Sequence, residues 1–408
     1  MEIQSVRTEE YDAAAGLASV TAVVVRADGS KESIWFRGLP TAVAESATKS
    51  ANPWLVLLLP AAVALGEDVS TALPADRALV RNLQSLQLIW ETWFPGLNRI
   101  NLQCDTVSDF VRTESQSREK ACLFSGGVDS FHVLAEHVGK DRVGDLHLLI
   151  TVGGFDIPLG RADEFDKVAA SATAVAQSIN ARSVSVETNL RSGSFGLADW
   201  GRMSHGCALA GIGLLFQSQI DELFIGSTRT FPNLRRWGSH PVTDPLCSTS
   251  AMKVTHFGST VSRAEKTRIL CLLPPALEHL RVCWEQGAAG NCGECVKCIR
   301  TMATLHVLGQ LKNCITFKNA EFSPQKIKSL HIANPGEIAF FEEIRDLAIL
   351  RGDRQTRAAI EHALKTSEKK NRRLKVRASI LNPLARWMGD KPFFWRISAA
   401  IENGSGVN

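Results

Sequence analysis

One strand–loop–helix pattern, in residues 120–136, constrains the fold of this chain more than any other stretch. The apolar run Ala121–Phe124 predicts a buried strand, and the apolar spacing that begins at Phe131 predicts a helix. Between them lie, in order, Ser125, Gly126, Gly127, Val128, Asp129 and Ser130. A glycine bend between a strand and a helix lets backbone N–H groups and the helix N-terminus approach an anion. The pattern therefore predicts a phosphate-binding loop, and the alternative is an ordinary serine–glycine turn.

The segment that contains this loop, residues 116–316, alternates strand and helix patterns. Such alternation predicts an α/β domain with a parallel sheet and right-handed crossovers. After Ala121–Phe124, strands are predicted at Leu146–Val152, Ser183–Thr188 and Glu222–Gly226. Ligands of such sheets bind outside the carboxyl ends of the strands. Phe155, Asp156 and Arg229 follow predicted strands, so we expect them to join the phosphate loop in one cleft.

Residues 1–115 are predicted to form a separate N-terminal α/β accessory domain. Alternating apolar residues in Thr21–Ala27 and Ser33–Arg37 predict a β-hairpin. The apolar run Trp54–Leu59 is interpreted as a buried strand, and Pro74–Phe94 as an amphipathic helix. No residue here belongs to a recognisable chemical motif, and the many apolar residues are interpreted as core, so a role in gating substrate or docking a partner stays open.

Residues 317–408 are predicted to form a helical, basic C-terminal extension. The segment Lys369–Arg377 is strongly cationic, and a solvated helix face is favoured over contact with phosphate or with an acidic protein surface. The net charge of +4 over 408 residues argues for neither nucleic-acid nor membrane binding. Without a signal sequence or an apolar run long enough to span a bilayer, the chain is expected to be cytoplasmic.

Four of the ten cysteines are crowded into one short segment. Cys283, Cys292, Cys295 and Cys298 have the spacing C-x8-C-x2-C-x2-C. Four thiolates saturate Zn²⁺, so the spacing predicts a structural zinc site rather than a catalytic one. An iron–sulfur cluster is the alternative, because four thiolates also suit it.

The two motifs together resemble a known family. The loop resembles the SGGxDS pyrophosphate loop of the PP-loop ATP pyrophosphatases, which have an adenine nucleotide alpha hydrolase-like fold. With the cysteine spacing, residues 120–300 resemble the 7-cyano-7-deazaguanine synthase (QueC) family. The resemblance implies ATP, Mg²⁺ and Zn²⁺ as cofactors and 7-carboxy-7-deazaguanine, a 7-deazapurine carboxylate, as the acid that is adenylated. Extended members resemble proteins of bacterial antiphage defence clusters, in which the acyl group passes to an amine of a partner protein rather than to ammonia. A second copy of the chain is a further candidate partner.

Adenylation assigns a role to each candidate residue. The backbone from Ser125 to Val128 and the hydroxyl of Ser130 would hold pyrophosphate, and Asp129 would hold Mg²⁺ or cap the helix. Cations are expected to stabilise the leaving group, and the candidates are Arg229, Arg263 and Lys266. His240 is the candidate general acid or base, while Phe155 would stack on the base and Asp156 and Asn189 would read its edge.

Two other functions stay open at this point. One is a PP-loop enzyme that modifies tRNA by adenylation or sulfur transfer, for which Cys207 would be the reactive thiol. The other is a binding module without catalytic activity, which the intact loop at residues 125–130 disfavours.

Overall fold

A computed structural model of the protein describes residues 1–107, 119–138, 145–283, 290–317, 321–332 and 334–387, with side chains as far as residue 373. The backbone divides into two compact units, residues 1–261 and residues 262–408. In chain order the strands are β1 (Glu2–Asp12), β2 (Leu17–Val25), β3 (Lys31–Pro40), β4 (Val69–Thr71), β5 (Ala75–Asp76), β6 (Leu102–Gln103), β7 (Thr106–Val107), β8 (Glu119–Leu123), β9 (Leu148–Gly153), β10 (Arg182–Thr188), β11 (Ile220–Gly226) and β12 (Lys253–Phe257). The helices are α1 (Thr41–Ala47), α2 (Asn52–Leu65), α3 (Arg77–Trp93), α4 (Val128–His137), α5 (Ala162–Ser178), α6 (His205–Leu215), α7 (Arg263–Leu270), α8 (Pro274–His279), α9 (Val296–Val307), α10 (Pro324–Lys328), α11 (Pro335–Arg351) and α12 (Arg354–Trp387).

A ten-stranded, mostly parallel sheet forms the centre of the first unit, in the order β12-β11-β8-β9-β10-β3-β2-β1-β4-β6. Strands β8 to β12 pair in parallel, as the alternating pattern predicts. The hairpin of β2 and β3 also forms as predicted, and β3 then pairs antiparallel with β10. The mixed α/β class is therefore confirmed.

The order of the parallel strands creates a switch point beside β8. From β8 the chain adds β9 and then β10 on one side, and it returns to add β11 and β12 on the other side. The crossover connections therefore diverge between β8 and β11. At such a point the loops after the two strands lead away from each other and leave a crevice, which is where open α/β sheets bind ligands.

Helices cover both faces of these parallel strands. On β11, Leu223 faces α6, because a Cβ added to Gly213 of that helix would lie 2.4 Å from the Leu223 side chain. The next residue, Phe224, points to the other face, where its ring lies 4.2 Å from that of His137 in α4. Helix α2 packs against α6 and is buried from Asn52 to Val63.

The strand predicted at Trp54–Leu59 is wrong, since these residues form the middle of α2. A continuous apolar run fits a buried helix as well as a buried strand, and a helix that is apolar all round must be buried. The prediction for Pro74–Phe94 is confirmed by α3, whose N-cap Asp76 accepts a hydrogen bond from the Leu79 N–H at 2.9 Å.

The predicted N-terminal region does not stand apart from the sheet. Its strands continue the sheet through the β3–β10 pair, and its helix α2 covers α6. The predicted division into residues 1–115, 116–316 and 317–408 therefore differs from the two compact units, 1–261 and 262–408. The predicted boundary at 115/116 falls between residues 108 and 118, outside the described residues.

The second unit contains the remaining helices, α7 to α12. Of the cationic segment at residues 369–377, the side chains of Lys369, Lys370, Arg372 and Arg373 are exposed, as a solvated helix face requires. Among the described residues no single helix is long and apolar enough to cross a membrane. Only α1 and α2 together, which are bent by 62° relative to each other, meet that test.

A substitution at Gly38 tests how closely β3 and β10 approach each other. Gly38 has a φ of +82°, and a Cβ there would lie 2.4 Å from the backbone oxygen of Ser185 in β10. Gly29 has a similar φ of +84°, but a Cβ there would meet nothing within 4 Å. We expect Gly29→Ala to lower the free energy of unfolding by about 1–2 kcal/mol through backbone strain alone. Gly38→Ala should lower the free energy of unfolding by about 1–3 kcal/mol more, because β3 and β10 must move apart to make room for the Cβ.

Urea denaturation of the two variants and the parent measures this difference. Equal losses of stability would show that β3 and β10 do not approach as closely as described.

Candidate nucleotide and metal sites

The loop after β8 has the backbone geometry that the sequence predicts. Gly126 has a φ of +72°, which favours glycine, and the chain then enters α4 at Val128. The N–H of Gly127 donates to Ser125 Oγ at 3.3 Å, and Ser130 Oγ donates to the Gly127 carbonyl at 3.0 Å. The first N–H groups of a helix have no acceptor within the helix, so this turn presents donors where β8 ends. Such donors can bind a phosphate group.

The end of β11 lies directly beside this loop. A Cβ added to Gly226 would lie 2.8 Å from the backbone oxygen of Asp129, so only glycine allows the two segments to approach this closely. The hydroxyl of Thr228 donates to Asp129 Oδ2 at 3.4 Å. Asp129 is half-buried, and the contact with Thr228 places its carboxylate beside the loop that follows β11.

Arg229 lies in the same loop after β11. Its guanidinium carbon lies 5.5 Å from the ring centroid of Trp237, a cation–π distance. The ring of Trp237 in turn lies 5.7 Å from that of His205. The structure thus places Arg229, Asp129 and the rest of residues 125–130 at one edge of the sheet, as the strand order requires.

Phe155 and Asp156 lie at the same edge, after β9. The Phe155 ring is buried and packs edge-on against Trp200, with 5.1 Å between ring centroids. Asp156 is exposed. Asn189, after β10, uses its side-chain amide to hold β3: its oxygen accepts the Trp35 N–H at 2.9 Å and its nitrogen donates to the Ser33 carbonyl at 2.8 Å.

His205 is held by two hydrogen bonds that fix its protonation. Its Nδ1 lies 2.8 Å from the Trp200 carbonyl, and its Nε2 accepts the Ser239 N–H at 3.1 Å. A ring that donates from Nδ1 and accepts at Nε2 is neutral. Burial lowers the pKa of His205, which favours the same form.

The predicted acid or base, His240, is also buried, and burial lowers its pKa. Its Nδ1 accepts the Val242 N–H at 3.1 Å, and its ring packs against Trp93. A second histidine, His256 on β12, is bound to a carboxylate that sequence reasoning did not connect with it. Its Nδ1 lies 2.7 Å from Oδ2 of the buried Asp244. That pairing orients the imidazole so that Nε2 is its basic atom.

Arg263 and Lys266 lie on α7, in the second unit, where they contact α11. The guanidinium of Arg263 lies 5.6 Å from the ring centroid of Phe340, and Lys266 is only 1 % exposed. The carboxylate of Glu343 accepts the Ala264 N–H at 3.2 Å. Burial raises the pKa of Glu343, while its attraction to Arg263 and Lys266 opposes that rise. Both predicted cations are therefore part of a charged cluster between α7 and α11, and their action on a leaving group stays a prediction.

The four predicted cysteine ligands lie together in the second unit. The sulfur atoms of Cys283, Cys292, Cys295 and Cys298 all lie within 4.8 Å of one another. Two of the separations are 3.9 Å, between Cys283 and Cys295, and 3.8 Å, between Cys292 and Cys298. Thiolates at about 2.3 Å from a tetrahedral metal lie about 3.8 Å apart, so one ion fits between them. A four-iron cluster would place its own iron and sulfide atoms there and hold the ligands farther apart.

Local hydrogen bonds position these cysteines. The N–H groups of Glu294 and Cys295 donate to the Cys292 sulfur at 3.4 and 3.3 Å, which folds the tight turn before α9. Asn291 joins the two ligand segments: its oxygen accepts the Val282 N–H at 2.8 Å, and its nitrogen donates to the Leu280 carbonyl at 2.8 Å. The hydrogen bond from the Cys298 thiol lowers the pKa of Cys295 to about 5.

No family model matches the chain, and neither a curated protein nor a solved structure matches it. The resemblance to the PP-loop ATP pyrophosphatases therefore rests on residues 125–130 and the cysteine spacing alone.

Gly226 tests the close approach of β11 to the loop. A Cβ there would meet backbone atoms of Asp129 at 2.8 and 2.9 Å, so Gly226→Ala should push the first turn of α4 out of place. The sequence predicts ATP turnover at this loop, and we expect that predicted rate to fall about 100-fold in Gly226→Ala while the chain stays folded. Gly160→Ala is the control, because a Cβ there meets nothing within 4 Å. Equal rates for the two variants would contradict the described approach.

The cysteine cluster is tested by metal content. Cys295→Ser removes one of the four thiolates, so the bound metal should fall well below one ion per chain as the purified variant is dialysed. Cys271→Ser, a half-buried cysteine outside the cluster, should keep the parent content. Elemental mass spectrometry measures the metal content of both variants. Unchanged metal in Cys295→Ser would rule out the cluster as the binding site.

Proposed function

We propose that the protein is an ATP-dependent ligase that adenylates a 7-deazapurine carboxylate, releases pyrophosphate and transfers the acyl group to an amine. The observation that carries the proposal is the position of residues 125–130. They form a glycine bend at the end of β8, beside the end of β11, at the switch point of the parallel sheet. This is the place where such a sheet binds a ligand, and the bend is the kind that binds phosphate.

The residues of the crevice suit the parts of ATP differently. Backbone N–H groups at the start of α4 and the hydroxyl of Ser125 would hold the β- and γ-phosphates, and the hydroxyl of Ser130 would turn from the Gly127 carbonyl to join them. Asp129 is the nearest carboxylate to that turn and would hold Mg²⁺ directly or through water. Bound Mg²⁺ would neutralise charge on the phosphates. Arg229, placed by the Trp237 ring, would add a positive charge at the same edge.

The chemistry consists of two displacements. A carboxylate oxygen of the substrate forms a bond to the α-phosphorus, and the bond from that phosphorus to the bridging oxygen breaks, so that pyrophosphate leaves with the electron pair. An amine nitrogen then attacks the acyl carbon, AMP leaves, and the nitrogen loses a proton. His256, whose Nδ1 is bound to Asp244, is suited to accept that proton at Nε2. The amine is ammonia or a group on a partner protein.

In this proposal the cysteine cluster holds zinc and has a structural role. Four thiolates leave no open position on the ion, and redox chemistry is not needed for either displacement. The sulfur-transfer alternative is less favoured, because Cys207 lies buried on α6 against Cys247 rather than in the crevice.

Exchange of labelled pyrophosphate into ATP tests the first displacement. With 7-carboxy-7-deazaguanine as the acid, Asp129→Asn and Ser130→Ala should each lower the exchange rate by two orders of magnitude or so, since both remove groups that act on the phosphates. Asp163→Asn is the matched control, because Asp163 is an exposed carboxylate in the first turn of another helix, α5. Full exchange in the Asp129 variant would sink the proposal.

Mass spectrometry of the products identifies the acceptor. A nitrile or amide of the deazapurine with added ammonia would assign ammonia as the acceptor, whereas a mass increase on a co-purified protein would assign a protein amine. Release of AMP and pyrophosphate with no acid present would contradict the ligase reaction.

A further inference from the structure

A pocket of about 520 Å³ lies after β10, at some distance along the same edge of the sheet from the phosphate loop. Its wall runs from Arg191 to Gly201 and combines a guanidinium, a carboxylate and an indole ring, contributed by Arg191, Asp199 and Trp200. The sequence places Arg191 at this edge, because Asn189–Arg191 follows a predicted strand, but Asp199 and Trp200 belong to no motif and were not selected. A short 3₁₀ turn, Gly193–Leu197, and a π-helical turn, Trp200–Ser204, shape this wall. π-Helical turns are frequent at functional sites.

The pocket lies at the same edge of the sheet as residues 125–130. Strands β8, β9 and β10 are neighbours and parallel, so their carboxyl ends lie at one edge. Two strand spacings separate β8 from β10, or about 10 Å. A row of ring contacts leads from the pocket towards Arg229: Trp200 lies 6.0 Å from His205, and His205 lies 5.7 Å from Trp237. A small acid in the pocket could therefore reach a nucleotide held at residues 125–130.

Arg191 is held in place before any ligand binds. Its Nη1 donates to the Phe155 carbonyl at 2.6 Å, and its guanidinium carbon lies 4.4 Å from the centroid of the Trp200 ring. A guanidinium has five N–H donors in a rigid plane, so these contacts leave donors for a ligand. A guanidinium fixed in this way suits a carboxylate, which it can bind with two parallel hydrogen bonds.

The other walls suit a flat ring with polar N–H groups. Trp200 supplies an aromatic surface, and Leu197, which is 60 % exposed, supplies an apolar one. Asp199 uses Oδ1 to cap the π-helical turn by accepting the Arg202 N–H at 2.8 Å. Its Oδ2 lies 3.9 Å from Arg202 Nε, but the side chain is 54 % exposed, so a ligand with N–H donors can still reach the carboxylate.

The N-terminal hairpin braces this pocket. Glu32, at the start of β3, accepts hydrogen bonds from the N–H of Ser194 at 2.9 Å and from its hydroxyl at 2.8 Å. Asn189 ties the preceding loop to β3 through the Trp35 N–H. Contacts between residues far apart in sequence thus hold the pocket wall in place. A binding site needs such a fixed wall, whereas a mobile surface loop would not have these contacts.

We propose that this pocket binds the acid that is adenylated, as a planar heteroaromatic ring that carries a carboxylate on one side and N–H donors on another. Arg191 takes the carboxylate, the wall formed by Trp200 and Leu197 takes the ring, and Asp199 accepts from the N–H edge, as a 2-amino-purine-like base presents. The assignment rests on the proposed function, and it names the substrate subsite of that reaction.

Calorimetric titration with 7-carboxy-7-deazaguanine tests the subsite, with and without a non-hydrolysable ATP analogue. Arg191→Met keeps an unbranched stem against Trp200 and removes the charge, so binding should weaken about 10- to 100-fold. The uncharged 7-cyano analogue should bind the parent and this variant equally. Arg182→Met is the control, because Arg182 lies exposed at the opposite end of β10 and pairs with Glu119. Arg191→Lys, which keeps the charge but not the paired donors, should fall between the parent and Arg191→Met.

Asp199→Asn tests the other end of the ligand. Asparagine can still cap the turn, so the fold should survive. Binding of 7-carboxy-7-deazaguanine should weaken about ten-fold, whereas a 7-deazapurine carboxylate that lacks the 2-amino group should lose much less. Equal losses for the two ligands would remove Asp199 from the subsite.

The two proposals fail in distinguishable ways. Binding of a fluorescent ATP analogue reports on residues 125–130 and should be the same in the parent and in Arg191→Met. The subsite is overturned, while the nucleotide site stands, if ATP binds but the acid binds in neither titration. The same holds if the acid binds Arg191→Met as tightly as it binds the parent. If the acid binds with the expected Arg191 dependence but no pyrophosphate exchange occurs, the subsite stands and the ligase reaction is overturned.

Discussion

The pairing of β8 between β9 and β11 is the constraint on which the rest of the first unit depends. Because β9 and β10 follow β8 on one side and β11 is added on the other, two loops separate at the carboxyl end of β8. Gly226 then lets the end of β11 approach the backbone of Asp129, which no larger residue would allow. The strand order and the absence of a Cβ at Gly226 therefore determine how the two loops lie at this edge. The backbone N–H groups at the start of α4 lie between them.

A second consequence of the sheet is that the first hundred residues take part in the site. Strand β3 pairs with β10, and Glu32 and the β3 backbone hold the loop that follows β10. Helix α2 packs on α6, whose first residue is His205. A region that carries no chemical motif of its own thus fixes the position of Arg191 and Trp200. Substitutions in this region would change the geometry of the pocket as well as the stability of the protein.

Local patterns in the sequence predicted what local physics decides. The alternation of strand and helix, the glycine bend at residues 125–130 and the cysteine spacing all depend on residues close in sequence, and the described structure contains each of them. The apolar run of α2 was misread, because burial on all sides erases the periodicity that separates a helix from a strand. The β3–β10 pair, the Glu32–Ser194 contact and the Asp244–His256 pair join distant segments, and no spacing in a single sequence encodes them.

His205 shows why the pocket and the crevice form a rigid arrangement. Both of its ring nitrogens are used by backbone groups, and a Cβ added to Gly238 would lie 2.4 Å from its Nδ1, so the ring has no room to turn. Burial lowers the pKa of His205, which favours the neutral ring. His205 is better suited to separate Trp200 from Trp237 at a fixed distance than to move a proton. An enzyme that joins an acid to a nucleotide needs such a spacing, because the carboxylate must meet the α-phosphorus in line with the departing pyrophosphate.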